Sequence, residues 1–200
     1  MDLHPFRCLT NPGVGGVKVR FDTRDLTSTA VFAALYVVIN VVEAIAVGGP
    51  VLTYGPIQLR VADALIALAA LLGWPVIGGV TIGCFVTNAY FFLGAPDLVL
   101  GPVANLIAAY LVLLLRKHHF IACVAGALPI GFIVGGYLWL FFPAPEIFGA
   151  LPAWLGMIIS ITLSSLVAIA VLGYLLLSTL SRPNILNPLK SHGLRVVDAN

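Results

Sequence analysis

Residues 98–115, LVLGPVANLIAAYLVLLL, carry no charged side chain and stop at Arg116-Lys117-His118-His119. A helix needs about 20 apolar residues to cross a bilayer, so this stretch reads as a membrane span. Outward from it, five more apolar runs follow the same pattern. Toward the N-terminus these are Leu26–Val47, opened by Thr27-Ser28-Thr29, then Pro56–Leu72 and Val76–Leu93. Toward the C-terminus they are Phe120–Phe142 and Trp154–Leu180. Glycine and proline separate them, at Gly48-Gly49-Pro50, Gly73-Trp74-Pro75, Gly94-Ala95-Pro96-Asp97 and Pro143-Ala144-Pro145. Pro56 suits the first turn of a helix, where its missing N–H is not needed.

Composition agrees. Hydrophobic residues make up 60% of the 200 residues and charged residues 9%, against about 25% charged in a typical soluble domain. The expected fold is an all-α integral membrane protein with six transmembrane helices. Residues 1–25 form a polar lead, 26–180 the membrane domain and 181–200 a polar tail. No apolar region precedes the first run, so no cleavable signal peptide is expected. Cys8, Cys84 and Cys123 are widely spaced and read as free thiols.

Orientation follows from the Lys and Arg residues. With six spans both termini share a side. Arg7, Lys18, Arg20, Arg24, Arg116, Lys117, Arg182, Lys190 and Arg195 all fall there, nine of the ten basic residues. The positive-inside rule makes that side, and both termini, cytoplasmic. The opposite half collects Glu43, Asp63, Asp97 and Glu146.

The tenth basic residue, Arg60, lies inside an apolar run. A cation in hydrocarbon costs about 2.5–3.5 kcal/mol on insertion scales, so it faces a partner, a cavity or a ligand. Asp63 lies three residues on, on the same helix face, and Gln58 adds an amide. Two readings stand side by side. Arg60, Asp63, Gln58 and Glu43 line a ligand cavity, or the acids neutralise Arg60 and lock the second helix in place. Asn88 and Asn105 read as interhelical hydrogen-bond formers, with Asn88 also within reach of a ligand. Tyr137, Trp139 and Trp154 read as interfacial aromatics. Ala30 and Ala34, and likewise Gly79 and Gly83, are small residues one turn apart that let another helix approach. His118-His119 reads as a solvated pair. Catalytic and phosphate-loop motifs are absent, so an enzyme is not expected, nor a cofactor, a metal or a nucleic-acid partner.

Three blocks carry a resemblance. Residues 54–65, YGPIQLRVADAL, resemble the "GPIQFRISEAL" hallmark of the QueT family. Residues 78–88, GGVTIGCFVTN, are similar to its "PGLFIGCLIAN", and residues 97–109, DLVLGPVANLIAA, to its "DIIFGTLATLIAA". The family comprises queuosine-precursor transporters, substrate-binding (S) components of energy-coupling factor (ECF) importers. The resemblance implies a 7-deazaguanine-like ligand, and as partners a transmembrane (T) component and ATPase subunits in the membrane lipid. It also implies docking of the T component at Ala30 and Ala34. Asp63 is then the first choice for reading the guanine-like edge, with Glu43 second. Gln58, Arg60, Asn88 and Tyr54 complete the ligand set, and the Val51–Gly55 loop serves as a gate. The chain departs from the family pattern at Ala62-Asp63, where Ser-Glu is usual, at Ser164-Ser165, where Gly-Glu is usual, and within Pro129–Leu140. The alternatives are a membrane enzyme acting on lipid or isoprenoid substrates and a stand-alone secondary carrier.

Overall fold

The computed structural model describes residues 22–46, 54–148, 150–191 and 196–197. These form seven helices, and no strand occurs among the described residues. Helix α1 is Thr23–Ala46, α2 Val61–Leu72, α3 Trp74–Tyr90 and α4 Ala95–Leu114. Helix α5 is His119–Leu138, α6 Ala153–Leu180 and α7 Pro183–Ser191. The expected gate at Val51–Gly55 falls largely outside the described residues, as does most of the N-terminal lead.

Four helices are long and apolar enough to cross a membrane: α1, α4, α5 and α6. Helix α1 starts three residues before the expected Leu26, because the Asp22 carboxylate accepts the Thr23 N–H at 2.8 Å and so satisfies a free helix donor. The second expected span is corrected. Residues 56–60 are not helical, and the helix begins at Val61 rather than Pro56. Arg60 is extended (φ −91°, ψ 103°), and the Pro56 carbonyl accepts the Ser160 hydroxyl at 2.7 Å. A bond from another helix replaces the intrahelical one there.

Helix α2 is unusual in two ways. Its first eight residues, Val61–Leu68, form a 3₁₀ helix, and only Ala69–Leu72 are α-helical. Runs of 3₁₀ beyond three or four residues are uncommon and often mark hinges. At about 2.0 and 1.5 Å per residue, α2 is roughly 22 Å long, short of the ~30 Å hydrocarbon core. Its side chains from Ala62 to Leu72 are all buried. Helix α2 is the central post of the bundle, not a lipid-facing span.

Helices α1, α3, α4, α5 and α6 pack around this post. Gly79 and Gly83 of α3 abut α1. A Cβ on Gly83 would come within 2.8 Å of the Tyr36 Cβ, and one on Gly79 would meet the Phe32 Cβ. This small-residue pair seats α1 within the molecule. Gly173 does the same for α6, whose Leu166–Gly173 stretch widens to a π-helix. A Cβ there would come within 3.0 Å of the Ala64 carbonyl of α2. Ala30 and Ala34 stay exposed on α1.

The two ends of the bundle differ in charge. Arg24, Arg116, Lys117 and Arg182 gather at one end; Glu43, Asp97 and Glu146 at the other. The polar tail holds α7, whose Leu186 packs on the core. Beyond it the Val197 N–H donates to the Leu71 carbonyl at 2.8 Å. There the chain turns at Gly73, whose φ of +70° suits glycine.

Candidate functional site

The polar residues of α2 and its approach meet α1, α3, α4 and α5 at the acidic end. Arg60 and Asp63 are 1% and 3% exposed. The extended backbone at Arg60 precedes a 3₁₀ turn, in which positions three apart eclipse. The Arg60 Nε therefore stands 3.6 Å from Asp63 Oδ2, an ion pair longer than a hydrogen bond. The other Asp63 oxygen, Oδ1, accepts the Tyr36 hydroxyl at 2.6 Å. That hydroxyl in turn accepts from Asn105 Nδ2 at 2.9 Å. One chain of bonds thus joins α4, α1 and α2. The remaining Arg60 contacts are soft: Nη1 lies 3.9 Å from Cys84 Sγ, and the guanidinium lies 5.8 Å from the centre of the Tyr54 ring.

Glu43 serves another purpose. Its Oε2 accepts the Val61 N–H at 3.0 Å, so a side chain of α1 caps α2 from outside and satisfies an orphan helix donor. Tyr54 stands ahead of α2, its ring 5.0 Å from that of Phe91. Burial raises its phenol pKa to about 12, so at neutral pH the hydroxyl is a donor. The neighbouring Thr87 hydroxyl is itself turned to the carbonyls of Gly83 and Cys84, each at 3.0 Å.

A second carboxylate lies close by. Asp97, in the first turn of α4, is 2% exposed. Its Oδ1 accepts the Tyr137 hydroxyl at 2.7 Å, and its backbone carbonyl accepts Asn88 Nδ2 at 2.9 Å. Gly101 makes room for that amide, since a Cβ there would strike Asn88 Nδ2. Tyr54, Cys84 and Tyr137 each lie near enough to both Arg60 and Asp97 to feel their charges.

The structure thus brings Arg60, Asp63, Gln58, Glu43, Asn88 and Tyr54 to one end of the bundle. It adds Tyr36, Asn105, Asp97 and Tyr137. Asp97 reads from sequence as a turn residue, because Gly94 and Pro96 flank it. Tyr137 reads as an interfacial aromatic, but it is buried against Asp97. Trp139 and Trp154 do stay partly exposed.

Several polar atoms in this region are buried without a hydrogen-bond partner: Tyr54 OH, both amide atoms of Gln58, Arg60 Nε, Asn88 Oδ1, Asn105 Oδ1 and Asp97 Oδ2. Each such atom costs about 1–3 kcal/mol. A cluster of such groups calls for an explanation, and a bound polar ligand supplies one. The arrangement offers donors from Arg60, Gln58 and Tyr54, and acceptors from Gln58, Asn88, Asn105 and Asp97. It suits a flat polar molecule bearing both kinds of group.

A family model described as QueT transporter matches residues 26–182. The chain belongs to this family. A curated relative named Queuosine precursor transporter QueT, from Lactococcus lactis subsp. cremoris (strain MG1363), is 33% identical over 85 residues. That match covers 42% of this chain and 47% of the relative, about half the length of each. No solved structure matches the chain. As a member of the QueT transporter family the chain is a multi-pass membrane protein, in keeping with the exposed apolar faces of its long helices.

Proposed function

We propose that this QueT-family protein is the substrate-binding S component of an ECF importer and captures a 7-deazaguanine-like queuosine precursor. Both termini are then cytoplasmic and the acidic end faces outward. The reading rests above all on the buried, hydrogen-bond-hungry cluster around Arg60 at the acidic end of a QueT-family bundle. Arg60, Gln58 and Tyr54 donate to the acceptor atoms of the base, and Asn105 Oδ1 accepts from its N–H groups. Asp63 holds Arg60 in place while Glu43 fixes the start of α2. A charge-assisted bond from Arg60 is about twice as strong as a neutral one, which makes it the chief affinity determinant.

Coupling follows from α1. Its inner face packs on α3 through Gly79 and Gly83, which leaves Ala30 and Ala34 exposed for a T-component helix. An attached T component and ATPase would supply the energy.

Titration of the purified full chain with 7-deazaguanine bases, with guanine and adenine as controls, tests the ligand. Saturable binding of the deazaguanines, weakened at least tenfold by Arg60→Met, is expected. Absence of binding overturns the ligand assignment. Copurification with an ATPase complex tests the coupling. Uptake by the chain expressed alone would favour a stand-alone carrier, and turnover of a lipid substrate a membrane enzyme.

A further inference from the structure

The two buried carboxylates of the site differ in what faces them. Asp63 stands against Arg60, and each of its oxygens has a partner inside the protein. Asp97 is as deeply buried, yet no cation stands against it among the described residues. Its Oδ1 takes the Tyr137 hydroxyl, whereas Oδ2 has no partner. A carboxylate taken out of water is costly unless a positive charge meets it.

The surroundings of Asp97 are built rather than incidental. Tyr137 comes from α5, Asn88 from α3, and the Gly101 gap admits the Asn88 amide beside it. Asn88 Nδ2 is spent on the Asp97 carbonyl, which leaves Asn88 Oδ1 as a further unpartnered acceptor. The α3–α4 contact therefore presents two free acceptor oxygens and no free donor. An ammonium has three donors and no acceptor. A guanine-like edge instead needs acceptors matched to two adjacent N–H groups. A carboxylate with one oxygen already committed is better suited to a single donor point.

We infer that Asp97 is the specificity-determining residue for a protonated primary amine on the substrate, received by Oδ2 with Asn88 Oδ1 beside it and Tyr137 holding the carboxylate in place. This rests on the proposed deazaguanine ligand and divides its recognition in two. The Arg60 side takes the base, and the Asp97 side takes a cationic substituent. Of the other acids at this end, Asp63 is paired with Arg60, and Glu43 is only half-buried and caps Val61.

The test uses two probes that differ only in the substituent on the five-membered ring: 7-aminomethyl-7-deazaguanine, cationic at neutral pH, and 7-cyano-7-deazaguanine, which has no donor there. Asp97→Asn keeps an oxygen for Tyr137 and puts an NH₂ in place of Oδ2. It should weaken the aminomethyl probe about tenfold to a hundredfold and the cyano probe by less than about threefold. Equal loss on both probes, or no loss on either, overturns the assignment. Tyr137→Phe keeps the carboxylate, so it covers the case in which Asp97→Asn fails to fold. Without the bond that holds Asp97 in place it should weaken the aminomethyl probe more than the cyano probe, and an equal effect on both would overturn the assignment. If the wild-type protein binds neither probe, the deazaguanine reading fails and this inference fails with it. If it binds both and Asp97→Asn treats them alike, only the role of Asp97 is refuted.

Discussion

Asp63 receives the Tyr36 hydroxyl and lies 3.6 Å from the Arg60 guanidinium, and all three residues are buried. Asp63→Asn leaves the Arg60 charge without its counter-ion. Breaking a buried pair on one side costs about 3–5 kcal/mol, whereas replacing both members with apolar residues is often neutral. The single variant should therefore lower the midpoint of thermal unfolding, and Arg60→Met with Asp63→Leu should restore it. Ligand titration of the same variants separates stability from recognition. The double variant should fold and bind poorly, because Arg60 is gone. A double variant as unstable as the single one would refute the ion-pair account. Sequence spacing alone points to Arg60 and Asp63 as partners, although Arg60 is extended and precedes the helix that carries Asp63. It does not reach Tyr36 or Asn105, which lie 27 and 69 residues from the groups they bond.

At the scale of elements, α1 has two faces with different work. Gly79 and Gly83 draw one face against α3. On the other, Val31, Leu35, Val38, Val42 and Ile45 are exposed in a continuous apolar stripe, with Ala30 and Ala34 beside it. Replacing both alanines with leucine adds bulk where none of the described helices packs. The isolated protein should keep its thermal stability and its ligand affinity within about twofold. Transport in cells containing the coupling subunits should be abolished, because close helix approach needs small residues. Undiminished uptake by the double variant would remove α1 as the docking face. The sequence offers both small-residue pairs on equal terms, and only the packing distinguishes the one used inside the molecule from the one left free. Helix α2 is the element least legible in sequence. Its apolar run reads as a span, yet it is buried all round, shorter than a span and mostly 3₁₀.

For the whole molecule, the two ends carry opposite charge character, and the proposed orientation puts the acidic end outside. Single cysteines at Glu146 and at Lys117, in a background without the native cysteines, test the orientation. An impermeant thiol reagent added to intact cells should label the Glu146 position and spare Lys117, with the pattern reversed in inside-out vesicles. Labelling of both positions from one side would refute the six-pass topology.

The sequence by itself determined the membrane class, the helical content and the polar segment around Arg60. Each follows from composition or from spacing along one chain: long uncharged runs must be lipid-facing or buried, and a lone Arg among them must have a partner. It also carried the family, because the three motif blocks are contiguous. Only the tertiary structure decided which acid is committed and which is free. Asp63 and Asp97 are alike as residues, and their difference comes from what other helices bring to them: Arg60 and Tyr36 in one case, Tyr137 alone in the other. Charge compensation inside a low-dielectric core is a property of neighbours in space, and those neighbours are set by the packing of α1, α4 and α5 around α2.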